Sequence, residues 1–180
     1  AAKSALSRLS LTFIKSEIGM TIKAGDRLPD VKLTVMGKNG PESVNTKDYF
    51  AGRRVAFFSV PGAYTPTCHK KHLPGFIAKA DEIKSKGVDA VAVTAVNDIF
   101  ALDAWLKESG GGGMIDALAD GSATFAKALG LELDLTEPGL GVRGKRYSAL
   151  IDDGVVKWIN VEDNSGEATV STAEATLARL

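Results

Sequence analysis

The chain has 180 residues, 44% hydrophobic and 24% charged, the balance of one ordinary globular domain and not of a disordered chain. Lys plus Arg and Asp plus Glu number 22 each, so no bulk charge drives it to nucleic acid. No apolar run reaches the ~18–20 residues that span a bilayer. A single cysteine, Cys68, excludes an intramolecular disulfide and any structural zinc site needing two or more cysteines of one chain.

Residues 1–19 are rich in Ser and Ala, carry Lys3, Arg8 and Lys15 against Glu17, and place Leu6, Leu9, Phe13 and Ile14 at helical spacing. They read either as a basic amphipathic targeting segment or as an extension ahead of Met20. The domain is expected over 20–180. Val31, Leu33 and Val35 alternate with polar neighbours ahead of Asn39-Gly40, which predicts a strand and a turn. RVAFFSV at 54–60 is an apolar run of buried-strand length, and a helical stretch follows over about 66–86, stopped by Gly87. VDAVAVTAV at 88–96 is the next strand, Asn97 the expected N-cap of a third element, and Gly110 to Gly113 its stop and a flexible loop.

A short strand at 115–119 and a short helix at 122–129 come next. Segments 146–151 and 155–159 flank Asp152-Asp153-Gly154, a hairpin signature. Ser171 to Glu174 reads as a capping box opening the last helix. The order predicts an α/β fold with a mixed β-sheet flanked by helices, of thioredoxin-like arrangement. Chemistry in such sheets sits beyond the C-terminal ends of the parallel strands, where the loop after Val60 lies.

That loop ends at Cys68. Thr65 suits an N-cap and Pro66 the first helical position, which puts Cys68 at the third, facing free amides and the positive end of the helix dipole. Both favour a thiolate. A lone cysteine is often a buried hydrophobe, but its neighbours here are Pro, Gly, Thr, His and Lys, not an apolar stripe. Cys68 and His72 stand four apart, which admits a Cys/His hydrolase or a metal site lacking its other ligands; His72 reads as readily as a surface or partner-contact residue. Gly139 to Gly144 satisfies G-x-G-x-x-G but precedes a strand and opens no helix, so it is expected to be a permissive loop. Arg143 and Arg146 stand on the loop-to-strand approach of the hairpin; a fixed guanidinium would serve a thiolate, but spacing alone does not choose between them, and either also reads as a plain surface charge.

Pro61-Gly-Ala-Tyr-Thr65-Pro-Thr-Cys68 is similar to the P-x-x-x-T-x-x-C signature of peroxiredoxins. With His72-Leu-Pro-Gly-Phe76, Val96-Asn-Asp98, Leu118-Ala-Asp-Gly-Ser122 and Lys145-Arg146-Tyr147, residues 20–180 resemble the peroxiredoxin-5, or type II, subfamily in a single-cysteine form. The resemblance implies a thiol peroxidase acting on hydrogen peroxide and organic hydroperoxides without metal or organic cofactor. Cys68 would be the peroxidatic residue, Thr65 and Arg146 would hold thiolate and peroxide, Pro61 would shield the pocket, and the amides of Thr67 and Cys68 would polarise the O–O bond. Valine stands at 93 and 170, where relatives carry a resolving cysteine. An external thiol is therefore implied, either glutathione with glutaredoxin or a thioredoxin. The resemblance also implies a homodimer with Tyr64, Phe100 and Leu140 as contacts. No nucleic-acid or membrane partner is expected. A cytoplasmic location is the default for a lone thiol, with the mitochondrial matrix as the alternative. A redox sensor oxidised at the same cysteine is the competing function.

Overall fold

The structure is a computed structural model that describes residues 20–180; the targeting and extension readings of residues 1–19 lie outside the described residues. A hairpin of β1 (Lys32–Gly37) and β2 (Gly40–Asn45) leads through the single-turn α1 (Thr46–Phe50) into β3 (Arg54–Ser59). Then come a π-helical turn, Cys68–His72, continuing as α2 (Leu73–Ser85), and the units β4 (Ala90–Ala95), α3 (Ile99–Glu108), β5 (Asp116–Ala119) and α4 (Thr124–Leu129). A small ribbon of β6 (Glu132–Leu135) and β7 (Gly141–Gly144) precedes the hairpin β8 (Tyr147–Asp152) and β9 (Val155–Val161), and α5 (Ala173–Leu177) ends the chain.

The main sheet has the order β2-β1-β5-β4-β3-β8-β9. Its centre, β5-β4-β3, is parallel, whereas β1, β2, β8 and β9 pair antiparallel. This is the expected thioredoxin-like mixed sheet. Strand alternation explains why 54–60 and 88–96 are apolar at most positions instead of alternating. Ala56 and Phe58 point to a core shared with α2, α3 and α5, while Val55 and Phe57 point to a second core under α1 and α4. Both faces are covered, so neither can be polar. In the hairpin, Asp153 and Gly154 both take positive φ, +49° and +76°, the primed turn that matches strand twist.

Several local expectations are corrected. The N-cap of α3 is Asp98, whose carboxylate accepts from the Ala101 amide at 2.8 Å, while Asn97 reaches across to the active-site loop. The last helix is capped by Thr172, not Ser171. Gly110 to Gly113 is a hydrogen-bonded turn, with Gly111 N–H on the Leu106 carbonyl at 2.8 Å, rather than a free loop. The expected loop at 139–144 is half strand: Gly139 and Gly141 make the positive-φ turn, and 141–144 pair with β6. Two residues of every four there are glycine, which hides the strand from any hydrophobic pattern.

In the second core Phe57 touches Phe50, Phe125 and Tyr147 at ring-centroid separations of 5.5, 6.1 and 6.0 Å. Phe57→Ala is expected to lower unfolding free energy by about 3–5 kcal/mol in urea titrations; a loss below about 1 kcal/mol would contradict this packing.

Candidate active site

Beyond the ends of β3 and β4, two loops are tied together. The Ala63 amide donates to Asn97 Oδ1 at 2.9 Å, and Arg143 spans the same gap, its Nη1 on the Val96 carbonyl (3.0 Å) and its Nε on the Leu140 carbonyl (2.7 Å). A Cβ on Gly62 would stand 3.2 Å from that guanidinium, so loop and arginine pack closely there. Tyr64 follows with φ +63°, and the chain enters the helix at Pro66. Thr65 sits at the expected entry, but its hydroxyl donates to the Gly62 carbonyl at 2.7 Å instead of capping the helix.

The helix does not wind regularly. The Leu73 amide reaches the Cys68 carbonyl, a π-type bond over Cys68–His72, of the kind that often marks functional sites. The turn brings Cys68 and His72, both buried, against the end of β8. Alternation along that strand sends Tyr147 into the second core and Arg146 the other way. Arg146 is 2% exposed and donates Nη2 to Cys68 Sγ at 3.0 Å. Its Nη1 meets His72 Nδ1 at 3.0 Å, and its Nε donates to the Ser165 carbonyl at 3.0 Å. Arginine can only donate, so His72 Nδ1 accepts, and Nε2 carries the proton toward the Ser171 carbonyl, 2.8 Å away.

His72 is therefore corrected from surface residue to the buried partner of Arg146. Burial pushes its pKa down to about 4; the Ser171 carbonyl opposes this and the Arg146 charge adds to it. Neutral, with both ring nitrogens engaged, it does not act as the base of a Cys/His hydrolase. Arg143 is brought to the loops and not to the sulfur. Pro61, Thr65 and Arg146 line a cleft of about 570 Å³, whose apolar wall is Leu133, Leu135 and Leu140. Sequence reasoning missed the Ser165 and Ser171 carbonyls, because a backbone acceptor leaves no residue signature.

Residues 23–177 match the Redoxin family model. The chain is 48% identical over 171 residues to peroxiredoxin-2E-2, chloroplastic, of Oryza sativa subsp. japonica, covering 92% of this chain and 75% of the relative. The chain belongs to the peroxiredoxin family. Among solved structures, this peroxiredoxin is similar to reduced Prx3 of Vibrio vulnificus in complex with hydrogen peroxide, with a TM-score of 0.85 and 44% identity over 88% of this chain and 99% of that one. It is also similar to peroxiredoxin 5 of Alvinella pompejana, with a TM-score of 0.76 and 34% identity over 87% and 96% of the two chains. The type II, peroxiredoxin-5-like assignment and a thiol-dependent peroxidase activity follow, and the single cysteine fits the one-cysteine form. The rice relative is chloroplastic by name, so the cytoplasmic expectation finds no support there.

The neutral His72 has a consequence for stability. Between about 4 and the ordinary 6.5, the unfolded chain binds a proton that the folded one does not, so stability falls as pH drops through that window. Urea titrations at pH 7 and 4.5 should show an acid loss about 2–3 kcal/mol larger in the wild type than in His72→Gln. Equal losses would mean that His72 is protonated in the fold.

Proposed function

We propose that this peroxiredoxin reduces hydrogen peroxide and organic hydroperoxides at Cys68. The Cys68 thiolate attacks the terminal peroxide oxygen; an S–O bond forms, the O–O bond breaks, and the oxygen left behind takes up a proton and departs as water or alcohol. Sulfur has given up two electrons and becomes a sulfenic acid. An external thiol then displaces water to give a mixed disulfide, and a second thiol releases Cys68 reduced, with the electrons drawn from glutathione through glutaredoxin or from a thioredoxin. The observation that carries the reading is the guanidinium 3.0 Å from Sγ, which stabilises negative charge on sulfur and gives the reacting oxygens a fixed donor.

The placements support a role for each residue. Arg146 holds thiolate and peroxide; Thr65 stands where its hydroxyl can turn from Gly62 to the substrate; Pro61 covers the mouth of the cleft. The Thr67 and Cys68 amides, in the first turn of the helix, polarise the O–O bond. Cys68 has no exposed surface, so a bulky reductant reaches it only when the turn around it opens. Hydrogen peroxide needs roughly the room of two waters, ~30 Å³ each, far less than the cleft offers. The leucine wall supports a substrate with an alkyl arm. Tyr64, Phe100 and Leu140 are 47, 65 and 38% exposed, which supports a homodimer through this edge. The chloroplastic relatives shift our reading of location from the cytoplasm to an organelle.

Stopped-flow oxidation followed by Trp fluorescence tests this. Cys68→Ser should show no peroxide reaction, and Arg146→Ala should slow it by about 10²–10³-fold. Retained turnover in Cys68→Ser would end the proposal; a single stoichiometric oxidation with no thiol able to restore Cys68 would favour the sensor. For specificity, Leu135→Asp should slow a bulky alkyl hydroperoxide by about tenfold while leaving hydrogen peroxide within twofold. Equal slowing of both would remove the alkyl-arm role from the leucine wall.

A further inference from the structure

After β9 the chain folds back over the site as a strap, residues 163–170, which follows Glu162 and is tied at its far end to the Glu162 carboxylate. Glu162 Oε1 accepts from the amides of Thr169 (2.7 Å) and Ser171 (2.9 Å) and from the Ser171 hydroxyl (2.8 Å). Oε2 accepts from the Thr169 hydroxyl at 2.9 Å. The Glu162 amide donates to the Arg146 carbonyl at 3.0 Å, which continues the β8–β9 pairing. Burial of Glu162 opposes its charge, but the bonds from Thr169 and Ser171 outweigh it and hold the carboxyl below its ordinary range.

The strap has no apolar anchor. None of residues 163–170 belongs to either core, and Val170 is 46% exposed. Its course therefore depends on hydrogen bonds, and the Glu162 carboxylate accepts the four that close its far end. The strap in turn fixes the reactive centre. The Ser165 carbonyl accepts from Arg146 Nε, the Gly166 carbonyl accepts from the Thr67 hydroxyl at 2.6 Å, and the Ser171 carbonyl accepts from His72 Nε2. Of the three nitrogens of the guanidinium, Nε is held by the strap directly and Nη1 through His72; only Nη2 is left for the sulfur.

We propose that Glu162 is a positioning residue for the peroxide step, aiming Arg146 at Cys68 through the strap and the His72 ring. This rests on the reading of Cys68 and Arg146 given above. Without the carboxylate, the Thr169 and Ser171 amides lose their acceptor, the strap carbonyls leave their places, and the guanidinium is free to swing off the sulfur.

The full chain bearing Glu162→Ala, Glu162→Gln or Ser171→Ala is compared with wild type, with Cys68→Ser and Arg146→Lys alongside. Two quantities are read at pH 7: the second-order rate of oxidation by hydrogen peroxide, and the thiolate absorbance near 240 nm, which in a one-cysteine protein reports Cys68 alone. Glu162→Ala is expected to keep its far-UV circular dichroism, lose about 10- to 100-fold in rate and lose thiolate absorbance. Glu162→Gln, which keeps a carbonyl oxygen for the amides, should recover most of both. Ser171→Ala removes one of the bonds and keeps the test decisive if Glu162→Ala fails to fold, with an expected loss of about fivefold. A folded Glu162→Ala, or in its absence Ser171→Ala, within twofold of wild type overturns the inference. So does a slower rate with undiminished thiolate absorbance, because Arg146 would then still be in place. If Cys68→Ser and Arg146→Lys are also unimpaired, the reading of the site itself fails; if they are impaired and the Glu162 and Ser171 variants are not, only this inference falls.

Discussion

A guanidinium that is 2% exposed is costly to bury unless each face of its fork finds an acceptor, and the site is organised around meeting that demand for Arg146. Its three nitrogens meet a sulfur, an imidazole nitrogen and a backbone carbonyl. Among the described residues no carboxylate pairs with the guanidinium, and its Nη2 meets the sulfur. The same demand sets the state of His72: a protonated ring could not accept from Arg146, and its burial removes the proton. From that tautomer follows the need for an acceptor at Nε2, which the Ser171 carbonyl meets.

The scaffold supplies rigidity on the other side of the sulfur. The parallel strands β3 and β4 end together, and Asn97 and Arg143 bind the loops that leave them. The π-type turn then places Cys68 and His72 together under Arg146, above Phe58, which stacks on Phe76 at a 4.0 Å centroid separation and lies 5.2 Å from the His72 ring. On the proposed function, a sulfur held between a fixed loop, a packed aromatic floor and a buried cation would need little reorganisation when charge moves in the reaction, and such preorganisation is where catalytic stabilisation chiefly arises.

Much of the fold was legible because burial on both faces writes itself into composition. β3 and β4 are largely apolar, RVAFFS and AVAVTA, and could be read as central strands, and Asp153-Gly154 could be read as a primed turn. The misses share a cause. β2, with the sequence GPESVN, lies at a sheet edge with mostly exposed side chains, and β7 is half glycine, so neither needs an apolar pattern. The caps at 97 and 171 were misassigned by one residue, because Asn97 and Ser171 have more distant partners, the Ala63 amide and Glu162, that local spacing does not reveal.

The sequence by itself determined the class of chemistry: one cysteine, placed at a helix start after a Pro-Gly-Thr-Pro loop, with arginines downstream, in an alternating α/β chain. Those are local facts, set by caps, turns and periodicity over a few residues. The tertiary structure brings to the sulfur Arg146, the arginine that the family resemblance implied, and it alone decided that His72 is buried and neutral and that a polar strap with no hydrophobic signature closes the site. The Arg146 and His72 contacts join residues 74 to 99 positions apart in the chain, whereas the strap is closed by Glu162 over 7 to 9 positions. Several run through backbone carbonyls that every residue possesses, so side-chain identity could not announce them.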